Sequence, residues 1–133
     1  MDLRRQSRLA LFTWLCAGCT ATAADDPAPT FAELHSKVLA PGCVFSSCHQ
    51  GAAAAGGLSL ELAVAYSNLV DVQAVGAPDR VRVVPGDLDA SYLLDKLENP
   101  SPDAGDPMPP TAPLSDTRLD MVRAWIEAGA LND

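Results

Sequence analysis

Cys43-Val44-Phe45-Ser46-Ser47-Cys48-His49 is the stretch whose reading decides the fold. Four residues separate two thiols, and an imidazole follows the second directly. Three chemistries use such a set. Thiols add across the vinyl groups of a porphyrin, and an adjacent ring nitrogen then reaches the iron from one face. The same two thiols can close a small disulfide loop in an oxidising compartment. With a fourth ligand they can hold zinc, although such a compartment oxidises free thiols.

The compartment is itself legible. Arg4, Arg5 and Arg8 precede an apolar run over residues 9–15, and small residues follow in Ala17-Gly18-Cys19 and Ala21-Thr22-Ala23. A basic start, an apolar stretch too short to span a bilayer and a small-residue exit spell a secretory signal. Residues 1–19 read as a signal peptide ending in a lipobox, with Cys19 lipidated as the new N-terminus. Ordinary cleavage after Ala23 is the alternative, since Ala21-Thr22-Ala23 fits the small-x-small rule. The expected location is the periplasm, or the outer membrane through a lipid anchor, of a Gram-negative-type bacterium. Cysteine usage agrees: Cys16 leaves with the signal, Cys19 is acylated, and Cys43 and Cys48 remain as a pair. From Cys19 onward six basic residues face sixteen acidic ones, a net charge of −10. That charge disfavours nucleic acid and anionic lipid and suits solubility or a basic protein partner.

The 133 residues suffice for one domain. Residues 20–29 read as a flexible tether and residues 30–133 as the folded part. Thr30 and Glu33 form a capping box ahead of an apolar stripe of Phe31, Leu34 and Val38, and Pro41-Gly42 stops this first helix. A Gly- and Ala-rich loop leads to a second helix over residues 59–69. The piece from 71 to 85 is irregular, with Val81, Val83 and Val84 extended. Asp87 or Asp89 is the expected cap of a third helix carrying Tyr92, Leu93, Leu94 and Leu97. Between 99 and 114 stand prolines at 100, 102, 107, 109, 110 and 113, which exclude a helix or an inner strand. Ser115 is the expected N-cap of the last helix, which buries Leu119, Val122, Trp125 and Ile126 and ends at Gly129. The chain therefore reads as a small all-α domain of about four helices and long loops, without internal repeats. A domain this small is marginal without help, and a covalent porphyrin offers an apolar plate to pack against.

An iron held by histidine needs a second axial ligand if it is to relay electrons. Met121 falls among apolar residues of the last helix, where methionine fills gaps. Met108 stands in Gly105-Asp106-Pro107-Met108-Pro109-Pro110, where there is no core to fill and prolines fix where the sulfur points. His35, four residues after Phe31, reads first as a hydrogen-bonded helix residue and second as the fallback distal ligand. Arg80 and Arg82 are either solvated or partners for haem propionates. No Ser-His-Asp set or catalytic carboxylate pair is present, so hydrolase chemistry has no support.

In order, Cys43…Cys48-His49, Val84-Pro85-Gly86-Asp87…Ser91-Tyr92-Leu93, Met108-Pro109-Pro110 and Trp125-Ile126…Gly129 resemble a monohaem class I c-type cytochrome domain of the bacterial exported type, over roughly residues 30–130. The haem motif here is a Cys-x4-Cys-His variant of Cys-x-x-Cys-His, so the two extra residues must bulge. Phe45 is expected over the ring edge and the serines in water. The resemblance implies a cytochrome c-like fold around one haem c. Cys43 and Cys48 would form its thioethers, His49 would be the proximal ligand and Met108 the distal one, with the first and last helices crossing near the haem edge. It implies an electron carrier rather than an enzyme, serving a redox partner protein. The other readings are a haem-free lipoprotein with a Cys43–Cys48 disulfide, acting as a structural or binding module, and a haem peroxidase-like enzyme with a displaceable Met108.

Overall fold

The computed structural model describes residues 27–98 and 105–133. The expected signal segment, Cys19, most of the tether and the first part of the proline-rich stretch lie outside the described residues. Four helical stretches make up most of the fold. The first begins as α1 (Phe31–Leu34), widens into a π-helical segment (His35–Leu39) and ends as α2 (Ala40–Gly42). Its start follows from the capping box: the Glu33 N–H donates to Thr30 Oγ1 at 3.1 Å, and the Thr30 N–H to Glu33 Oε2 at 3.3 Å. Ala40 N–H bonds to His35 O, one residue wider than in an α-helix. The ladder widens just ahead of Pro41, which has no N–H to keep it regular.

A single 3₁₀ turn (Ala55–Gly57) precedes α3 (Leu62–Leu69). The helix expected from residue 59 starts later because Leu60 is already engaged elsewhere. Its N–H donates to His49 O at 2.8 Å and its carbonyl meets His35 Nε2 at 2.9 Å.

The all-α expectation is corrected in one place. β1 (Gln73–Ala74) and β2 (Ala77–Val81) form a two-stranded antiparallel hairpin, with Gln73 opposite Val81, Ala74 opposite Ala77 and an irregularity between. Of the three valines expected in extended form, Val81 ends β2, Val83 pairs with Val70, and Val84 pairs with Asp87. The domain is thus mostly helical rather than purely so.

The third helix, α4 (Tyr92–Leu97), is preceded by Ser91 and not by the aspartates expected to cap it. Asp87 Oδ1 instead accepts from the Ala90 N–H at 2.9 Å, making a turn. The buried Ser91 hydroxyl reaches back to Asp87 O at 2.6 Å. The last helix, α5 (Asp116–Glu127), follows Ser115 as expected, although the Ser115 side chain makes no capping bond. Gly129, at φ 99°, takes the left-handed position that closes this helix, and Ala130 N–H bonds to Trp125 O at 2.9 Å.

One core ties these pieces together. Phe31, Leu34 and Val38 of the first stretch are buried, as are Leu69, Val83, Val122, Trp125 and Ile126. The Phe31 ring meets Tyr66 edge-on at 5.3 Å between centroids and Trp125 at 5.5 Å, so α1 and α5 join through aromatic contact. The chain end completes this junction. Asp133 Oδ1 accepts from Phe31 N–H at 2.9 Å, and Leu131 O accepts from Trp125 Nε1–H at 2.9 Å. Among the described residues no helix is long and apolar enough to cross a membrane.

Candidate functional site

The loop after α2 carries the motif. Cys43 N–H donates to Leu39 O at 2.8 Å, which keeps the first cysteine on the end of the helical stretch. The intervening residues then turn back on themselves. Phe45 N–H reaches Cys43 O at 3.1 Å, Cys48 N–H reaches Phe45 O at 2.9 Å, and His49 N–H returns to Cys43 O at 3.2 Å. The four residues between the cysteines are therefore absorbed as a turn. Ser46 and Ser47 are exposed. Phe45 is 50% exposed and does not line the cavity described next, so it stands away from the place expected of it.

A cavity of about 520 Å³ opens beside this loop, within the ~300–1,000 Å³ typical of small-molecule and cofactor sites. Cys43, Cys48 and His49 line it on one side, and Met108, Pro109 and Pro110 belong to the same lining. Val38, Leu39, Leu60, Leu69, Leu97 and Leu114 supply an apolar wall, and Arg82 and Lys96 supply charge. Residues distant in sequence thus meet at one apolar space.

Each donor has a definite state. His49 Nδ1 lies 2.9 Å from Leu58 O. A carbonyl can only accept, so Nδ1 carries a proton, and Nε2 is the ring nitrogen left to act as a donor atom toward a metal. This is the support that fixes ring and tautomer in metal-bound histidines. Cys43 and Cys48 are both free thiols. Burial pushes the Cys43 thiol up, the neighbouring Cys48 pushes the same way, and Arg118 offsets part of this. Cys43 therefore stays a protonated thiol at neutral pH. Met108 is partly buried against the core, and its N–H donates to Lys96 O at 2.6 Å.

The two arginines part company. Arg80 pairs with Asp95 at 2.6 Å and stacks over Tyr92. Arg82 is buried in the cavity wall, donating to Asn68 O at 2.7 Å and to Gly56 O at 3.1 Å. Both partners are carbonyls, and burial pushes its pKa down without removing its charge. A buried cation with no carboxylate partner among the described residues suits an acidic group on whatever fills the cavity.

His35 is buried, donates through Nε2 to Leu60 O, and does not line the cavity. It braces the segment that supports His49. Lys96 and the carbonyls of Leu58 and Leu60 are the site's unforeseen members, because backbone acceptors leave no mark on residue type. Among the described residues no three His, Cys, Asp or Glu side chains converge to hold a bare metal ion. Two thiols, an imidazole and a thioether spread around an apolar cavity instead suit a planar group carrying its own metal. Compared with known proteins, the chain matches no family model, no curated protein and no solved structure.

Proposed function

We propose that this chain is an exported electron carrier with a cytochrome c-like domain that holds one covalent c-type haem. The observation that carries the reading is the common cavity: Cys43, Cys48 and His49 line it together with Met108 from a separate loop. In this reading Cys43 and Cys48 would tether the group through thioethers, and His49 Nε2 and the Met108 sulfur would hold its iron. When bound, the haem supplies the one-electron couple. The chain does the rest. The Leu58 carbonyl holds the His49 ring in the ligating tautomer. The neutral, soft Met108 sulfur would favour the reduced metal and raise the potential. Leu39, Leu60, Leu69 and Leu97 exclude water, and Arg82 would receive a propionate. With His49 and Met108 both holding the metal, electron relay would be favoured over peroxidase chemistry. Export, with Cys19 as lipid anchor, brings the acidic domain to a basic redox partner.

The test is direct. The chain is exported in a strain with haem-attachment machinery, denatured, and examined by mass and by pyridine haemochrome spectrum. Covalent haem, together with a Met–iron charge-transfer band lost in Met108→Ala, is the expected result. A mature mass two hydrogens below the dithiol form, with no haem, would establish the disulfide-held module instead. Haem without the band would overturn the assignment of Met108.

A further inference from the structure

The loop that carries Met108 has almost no backbone donors of its own. Pro107, Pro109 and Pro110 lack an N–H, so Met108 supplies the one main-chain donor of residues 107–110. That donor goes to Lys96 O at 2.6 Å. The Lys96 ammonium reaches the same loop on the other side of Pro107 and donates to Asp106 O. One residue in the last turn of α4 therefore grips the loop twice, once through its backbone and once through its side chain. The helix that carries the grip is itself fixed, with Leu94 and Leu97 buried and Asp95 paired to Arg80.

We infer that Lys96 is the positioning residue of Met108, and that its side chain sets how readily the thioether gives way to a competing ligand. This deepens the haem reading and rests on it. A ligand that can bind only when the loop swings aside has an apparent affinity scaled by the fraction of molecules with the loop open. The contact from the ammonium to Asp106 O is made only in the closed arrangement, so its removal raises that fraction. The backbone contact to Met108 survives any substitution at 96, which separates the side chain's share.

The experiment uses the full chain loaded with haem, imidazole as competing ligand, and the variants Lys96→Met and Lys96→Arg. Lys96 is half-exposed and outside the core cluster, so both variants keep the fold. Lys96→Met is expected to bind imidazole at least about fivefold more tightly, the change that losing a charged hold on the loop makes at a partly exposed site. Lys96→Arg, which keeps a charged donor, is expected to return the affinity toward wild type. An imidazole Kd for Lys96→Met equal to that of wild type, even beside a lowered Tm, overturns the inference and leaves the haem reading standing. A wild-type protein without covalent haem, or without a Met–iron band, overturns the reading and the inference together.

Discussion

His35 and His49 hold the same short segment from opposite sides. His49 Nδ1–H donates to Leu58 O and His49 O accepts from Leu60 N–H, while His35 Nε2–H donates to the carbonyl of buried Leu60. Replacing His35 by leucine keeps apolar bulk but leaves that carbonyl without its partner, and burying an unsatisfied acceptor costs about 1–3 kcal/mol. Chemical denaturation of His35→Leu is expected to show a loss in that range, and His35→Gln, which retains an N–H donor, a smaller one. If His35 were instead an iron ligand, His35→Leu would change the haem spectrum, which this placement does not predict. The side chains that line the candidate site were legible in the chain because thiol, imidazole and thioether are written in residue type. What they lean on was not. Leu58 O, Leu60 O and Lys96 O are backbone acceptors, and any residue type supplies one.

Helix ends show why some elements were legible and others were not. Thr30 and Glu33 satisfy each other's backbone donors, as the box predicts, whereas Ser115 occupies the corresponding position before α5 without using its hydroxyl. Thr30→Ala is therefore expected to lower stability by ~1 kcal/mol, and Ser115→Ala to leave it nearly unchanged, both read as shifts in denaturation midpoint. Equal losses would contradict the contrast. The start of α4 was misassigned for a related reason: aspartates at 87 and 89 fit a cap, but Asp87 closes a turn that Ser91 stitches to Val84 and Asp87. The hairpin had no sequence signal. β2 runs Ala-Pro-Asp-Arg-Val, without alternation and with a proline, which suits an edge strand and nothing else. Pairing from turn geometry and neighbours, more than strand propensity, makes it.

At the scale of the molecule, the core is small and lies between the α1–α5 junction and the cavity. Phe31, Tyr66 and Trp125 seal one side, where ring contacts and the Asp133 bonds tie the first helix to the last. On the other side Leu39, Leu60, Leu69 and Leu97 belong at once to the core and to the wall of the 520 Å³ space. Residues with core on one face and an apolar void on the other lose the dispersion contacts that a filled interior provides. On the haem reading, a rigid apolar group held by Cys43 and Cys48 would restore them, and loading and folding stability would be coupled. The double variant Cys43→Ser/Cys48→Ser cannot form thioethers and is expected to melt at least about 10 °C below the haem-loaded wild type, the shift that ~2 kcal/mol makes in a domain of this size. The haem-free wild type, kept reduced, is the control for the serine substitutions themselves. It is expected to melt with the double variant, and calorimetry on the three samples decides the matter. If the haem-free wild type instead matches the loaded protein, the cavity walls gain nothing from being filled, and the coupling between cofactor and core is absent.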